Sequence, residues 1–188
     1  MSVDLGSLSL APGFLIAVPQ LLDPNFRQSV VLLLQQRDEG ALGLVINRES
    51  ALTLRDLCHD HKIRYAGDPA KKVRVGGPVQ PEQGLVLFDA GFEDPESRWV
   101  VDGLGVSAST RTLSRLCDRT DVRFHCFSGY AGWGPGQLER EIREGSWIVT
   151  PADPRLVLEI SPDDAWMTAL TGNGIDPASI VPGSCESS

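Results

Sequence analysis

A chain of 188 residues, 41% of them apolar, can bury one substantial core, and it is read as a single domain over 1–181 with a loose tail at 182–188. Its 25 acidic against 17 basic side chains give a formal charge of −8, which repels a phosphate backbone and argues against direct nucleic-acid binding unless a local basic patch intervenes. The first apolar run, Phe14 to Val18, follows no basic segment and is far shorter than the roughly 20 residues that cross a bilayer, so no membrane association is expected.

Gly13 to Val18 and Ser29 to Gln35 are short runs rich in Val, Ile and Leu, which predicts strands rather than helices. Arg37 to Gly40 is a polar turn, so the run from Ala41 to Asn47 should return as a hairpin with its predecessor, both strands buried on two faces. Thr53 caps a predicted helix through His59 that buries Leu54, Leu57 and Cys58. Val73 to Gly76 and Gly84 to Asp89 are strands flanking Gly76-Gly77-Pro78-Val79, and Trp99 to Val101 with Leu104 to Val106 extend the sheet. A second helix opens at Ser109 or Thr110 and runs to Arg119, burying Leu113 and Leu116; Val122 to Phe127 returns as a strand. Pro135 suits the first turn of a helix to about Arg143, with Leu138 and Ile142 on one face and Gly145 ending it. Ser146 to Thr150 is a strand, and a last helix from Ser161 or Asp163 turns Trp166, Met167 and Leu170 inward. Hairpins interspersed irregularly with helices, lacking a regular βαβ alternation, indicate an α+β domain with a large mixed β-sheet and helices packed on it.

The most distinctive feature is the Gly-rich segment Ser128 to Glu139, read as a strand-to-helix junction. Glycines there would let backbone N–H groups approach an anion at a helix N-terminus. The segment lacks the Gly-Lys-Ser/Thr of a phosphate-binding loop, Glu139 stands where a dinucleotide fingerprint needs a small residue, and Glu139 and Glu141 oppose a phosphate. Structural turn and anion cradle both remain open, the turn with Trp133 packed beneath it. Ser128 is no nucleophile elbow, since Cys126 and Tyr130 replace the glycines of that motif, and no residue pattern assembles a triad with His125. Cys58-His59-Asp60-His61 concentrates potential ligands without a second group at metal-site spacing, so no metal is expected, nor any cofactor. The four cysteines, Cys58, Cys117, Cys126 and Cys185, form no CxxC pair, which suits a reducing cytoplasm, and Glu186 after Cys185 spoils a prenylation signal. Arg111, Arg115 and Arg119 recur at helical spacing as a candidate basic stripe for an acidic partner.

Four segments, Gly13-Phe-Leu-Ile-Ala17, Gly43-Leu-Val-Ile-Asn-Arg48, Gly76-Gly-Pro-Val79 and Gly129-Tyr-Ala-Gly-Trp133 with Gly136-Gln-Leu-Glu139, occur in an order that resembles the AlgH/YqgE family of bacterial proteins. The resemblance spans nearly the whole chain and implies an α+β fold with a large mixed sheet, no established activity and a regulatory, transcription-linked label. The chain departs from that pattern at Leu34 to Gln36 and Phe88-Asp89, where relatives often carry a histidine, and in its Pro182 to Cys185 tail. The resemblance marks Asn47, Arg48, Gly76, Gly77, Pro78, Gly129, Gly132, Trp133, Gly136 and Gln137 as a candidate surface for an unknown protein or small-ligand partner. The leading expectation is a non-enzymatic regulatory or interaction domain. The alternative is a nucleotide- or phosphometabolite-binding protein or enzyme using the Gly129 to Glu139 junction with Asn47 and Arg48.

Overall fold

The computed structural model describes residues 9–177; the tail expected at 182–188 and Cys185 lie outside them. The chain opens with β1 (Gly13–Ala17), β2 (Val30–Arg37) and β3 (Gly40–Val45), paired antiparallel in sequence, the last two as the expected hairpin. All of β1 and the first five residues of β2 are buried. Their period-two alternation explains it: Phe14, Ile16, Val30 and Leu32 enter one core, while Leu15, Ala17, Val31 and Leu33 enter another on the opposite face.

The remaining elements are β4 (Glu49–Thr53), α1 (Leu54–Asp60), β5 (Lys72–Val75), β6 (Val79–Asp89), β7 (Arg98–Val101), β8 (Leu104–Ser107), α2 (Thr110–Cys117), β9 (Phe124–Trp133), α3 (Gln137–Arg143), β10 (Trp147–Thr150), α4 (Pro154–Leu158) and α5 (Pro162–Gly172). The strands form a ten-stranded sheet in the order β10-β1-β2-β3-β9-β6-β8-β7, with β5 joining β9 and β4 joining β5. The β5–β9 pair is parallel and the other ladders are antiparallel, so the sheet is mixed and the fold is α+β, as expected. Strand β9 is the organising element: it pairs with β6 along most of its length, with β5 at Phe127 and Ser128, and with β3 from Ala131 to Trp133.

Three apolar clusters result. One gathers β1, β2, β3, Leu87 and Phe127 beneath Val157 of α4 and Trp166, Ala169 and Leu170 of α5. A second places Leu54 and Cys58 of α1 and Leu113 and Leu116 of α2 against Val73, Val86, Phe88, Phe124 and Cys126. The third joins Leu138 of α3 to Trp133, Trp147 and the outer residues of β1 and β2. The two caps anticipated at Thr53 and Ser109 form, accepting the N–H groups of Asp56 and Arg111.

Several expectations need correction. Met167 is 46% exposed, because α5 is rotated to bury Ala165, Trp166, Ala169 and Leu170, and the Trp166 indole anchors that rotation by donating to the Ala17 carbonyl at 2.8 Å. Pro135 precedes the N-cap Gly136 and lies outside α3. Helix α2 stops at Cys117, leaving Arg119 beyond it. The sequence pattern also missed β4, whose largely exposed Glu-Ser-Ala-Leu-Thr has no apolar alternation and is a strand through its ladder to β5 alone. It missed α4 too, a helix of 5 residues with Asp153 capping the Arg155 N–H.

Candidate functional site

The Gly-rich junction is reshaped by the structure. Strand β9 continues to Trp133, so Gly129 and Gly132 lie within a strand, and the connection to α3 shrinks to Gly134, Pro135 and Gly136. Gly76 and Gly77 cross directly over Gly129 and Tyr130. The Gly76 N–H donates to the Ser128 carbonyl at 2.8 Å, and the Val45 N–H donates to the Gly76 carbonyl at 2.8 Å. A Cβ on Gly77 would overlap the Tyr130 backbone, and a Cβ on Gly129 would overlap the Gly77 carbonyl; φ is +154° and +71° at these two positions. These glycines therefore allow two backbones to touch. Pro78 is exposed at the bend into β6.

The neighbouring polar groups are occupied. Asn47 Oδ1 accepts the Val30 N–H at 2.9 Å while its Nδ2 donates to the Gln28 carbonyl at 2.9 Å, and Arg48 donates to the carbonyls of Pro24 and Arg27, both at 2.8 Å. Both side chains pin the connection between β1 and β2. At the start of α3, Gln137 Oε1 accepts the Gly134 N–H at 3.0 Å and its Nε2 donates to Glu141 at 3.1 Å. The indoles of Trp133 and Trp147 donate to one and the same Glu141 oxygen, at 2.9 and 3.0 Å, and Phe26 stacks on Trp133. Glu139 accepts from Gln36 at 2.8 Å. The carboxylates are bound inward as acceptors, so the α3 end is a brace between β2, β9 and β10.

The basic stripe is paired off. Arg111 meets Glu96 at 3.3 Å, Arg115 meets Asp94, and Arg119 meets Asp121 at 2.7 Å. Burial would raise the Asp94 carboxyl, but the Thr112 hydroxyl and Arg115 hold it below the usual carboxylate value.

On the α4 side of β9, Arg74 is buried and donates to the carbonyls of Ile46 at 3.0 Å and Val157 at 3.2 Å. Burial draws its pKa down to about 10. His125 Nε2 stands 3.4 Å from the same guanidinium, and burial, then Arg74 and Lys71, push its pKa down to about 3. His125 thus stays a neutral ring. Ser128 is of the parity of Cys126, not of His125, so the two side chains leave β9 on opposite faces and no Ser–His pair forms. Among the described residues, no group of three or more His, Cys, Asp or Glu side chains is arranged to hold a metal ion.

A cleft lies on the other face of β9. Between Val79 and Gly84 the β6 ladder to β9 is interrupted, and the exposed stretch Gln80 to Gln83 bows away. The resulting space of about 360 Å³ has Val73, Gly84, Val86, Cys126 and Ser128 from the sheet, Leu57 and His61 from the α1 end, and Thr110 and Leu113 from α2. Its floor is apolar, its rim carries hydroxyls and an imidazole, and the Ser128 hydroxyl makes no hydrogen bond among the described residues. Small-molecule sites have this construction, an apolar surface with a few placed polar groups. The cleft adjoins Gly129 but includes none of the residues marked by the family resemblance. No pattern in the sequence announced it, because its walls come from six elements spread between residues 57 and 128.

Comparison with known proteins accords with the fold. The model of a family described as AlgH-like matches residues 14–178. The chain is 46% identical over 176 residues to a UPF0301 protein of Myxococcus xanthus, covering 93% of this chain and 97% of that one. It is 39% identical over 183 residues to a UPF0301 protein of Anaeromyxobacter dehalogenans, covering 93% of each. Among solved structures, it is similar to the AlgH protein from Pseudomonas aeruginosa, with a TM-score of 0.73 and 32% identity over 98% of this chain and 97% of that one. A crystal structure of protein DIP2367 from Corynebacterium diphtheriae has a TM-score of 0.74 at 20% identity, covering 88% and 87%, a likeness of fold alone.

Proposed function

Because the chain belongs to the AlgH-like family, we propose that it is a non-enzymatic, cytoplasmic regulatory domain that binds a small, largely apolar ligand in the cleft between α1, α2 and the β6–β9 face. The observation carrying this reading is the cleft itself, about 360 Å³ of apolar-floored space with an uncommitted Ser128 hydroxyl at its edge. Such a volume lies in the range typical of small-molecule sites, roughly 300–1,000 Å³. A transcription-linked role of the kind the family resemblance implies would be exercised through ligand occupancy, since the arginines of α2 and its end are engaged by carboxylates and the net charge is −8. The phosphate alternative at the α3 junction loses support, because the Gly134 N–H is bonded to Gln137 and two glutamates flank the site.

Thermal-shift screening of apolar metabolites tests the reading. A ligand at about 100 times its Kd should add about 2.7 kcal/mol, a Tm rise of several degrees. Gly84→Trp is the matched control: a Cβ there has open space around it, so the indole enters the cleft rather than the core. Binding lost in Gly84→Trp with Tm retained supports the cleft; an equal shift in both proteins, or no shift with any compound, overturns it. No helix among the described residues is long and apolar enough to cross a membrane.

A further inference from the structure

Cys58 in the last turn of α1 and Cys117 at the end of α2 are 59 positions apart in sequence, yet their sulfurs lie 3.7 Å from each other. That is direct contact between two thiols. Cys58 is fully buried, whereas Cys117 is half-buried and opens onto a separate recess of about 500 Å³ that also touches Arg64, Tyr65, Lys71 and Arg119. One sulfur is therefore reachable by a small solute and the other waits behind it, the arrangement of an attacked and a resolving thiol.

We propose that Cys58 and Cys117 form a peroxide-sensitive dithiol that closes to an intramolecular disulfide tying α1 to α2. Cys117 gives up its proton and attacks one oxygen of a hydroperoxide; the O–O bond breaks, and the departing oxygen takes the proton and leaves as water or an alcohol. The Cys117 sulfenic acid is then attacked by Cys58; the S–O bond breaks and its oxygen leaves as water with the Cys58 proton. The two sulfurs lose two electrons and the peroxide gains them. Forming the bond asks the sulfurs to close from 3.7 Å to about 2.05 Å. Burial pushes both thiols up, so the thiolate is scarce near neutrality and the reaction is slow and accelerates with pH. A disulfide of this kind in a reducing compartment is transient, forming under peroxide and reopened by thiols.

The test uses the full-length protein, treated with hydrogen peroxide, alkylated under denaturing conditions and mapped by mass spectrometry. Of the four cysteine thiols, two should disappear, with a loss of about 2 Da before alkylation, a Cys58–Cys117 cross-linked peptide, and full recovery on dithiothreitol. The oxidised protein should melt roughly 5–10 °C higher, as expected for a cross-link closing a long loop. Cys58→Ser should stop at a dimedone-reactive Cys117 with no cross-link. A link to Cys126 or Cys185, a disulfide-bonded dimer, irreversible over-oxidation of Cys117 in the unaltered protein, or all four thiols still alkylated after peroxide would each overturn the proposal. Should Cys58→Ser fail to fold, the peptide map of the unaltered protein decides alone. None of these readouts involves a ligand in the cleft, so they stand or fall apart from the function proposed above.

Discussion

The glycine crossing and the cleft lie side by side along β9, and they use it in opposite ways. At the crossing, Gly76 and Gly77 press onto Gly129 and Tyr130, and the adjoining Asn47 and Arg48 spend their polar atoms on backbone groups. At the cleft, the β6 ladder lets go of β9, leaving space above Gly84 and a Ser128 hydroxyl that makes no hydrogen bond among the described residues. The difference teaches that a dense glycine motif can mark where backbone must meet backbone, while binding capacity lies where pairing is interrupted.

Substitution at the crossing should give the largest effect. Gly77→Ala places a Cβ against the Tyr130 backbone at a φ that side chains rarely adopt, and it should cost about 4 kcal/mol or more in urea unfolding, or prevent folding. A cost under about 1 kcal/mol would break the comparison, since the crossing would then tolerate separation.

The face of β9 away from the cleft should give an intermediate effect, visible in the pH dependence of stability. His125 is held at about 3 in the folded protein against an ordinary 6.5, so the unfolded chain takes up its proton first as pH falls. Stability from this group is fully present above pH 6.5 and is lost as pH falls from about 6.5 towards 3, on the order of 2 kcal/mol by pH 5. His125→Gln should flatten that segment of a urea-midpoint profile between pH 4.5 and 6.5. An unchanged slope would show that the ring is not held neutral.

The cleft should give the smallest effect. Gly84→Ala adds a methyl group to open space at an unstrained backbone, and unfolding stability should stay within about 0.5 kcal/mol. A loss comparable to that of Gly77→Ala would mean that the cleft is a packed core and not a site.

Much of this protein was determined by its sequence alone. The apolar runs of β1, β2 and β3, the caps at Thr53 and Ser109, and the burial of Leu113 and Leu116 follow from local periodicity and capping chemistry, which neighbouring residues supply by themselves. The ordered Gly and Trp segments were likewise enough to indicate the family and the α+β fold. Tertiary structure alone decided the rest. β4 exists because β5 offers it a ladder, and Met167 faces outward because the Trp166 indole reaches Ala17. The glycine junction became mostly strand because β3, β5 and β6 all pair with β9. The cleft and the Cys58–Cys117 contact join residues that the linear pattern leaves unrelated, since which helix end meets which is set by the packing of whole elements and not by the spacing of residues along the chain.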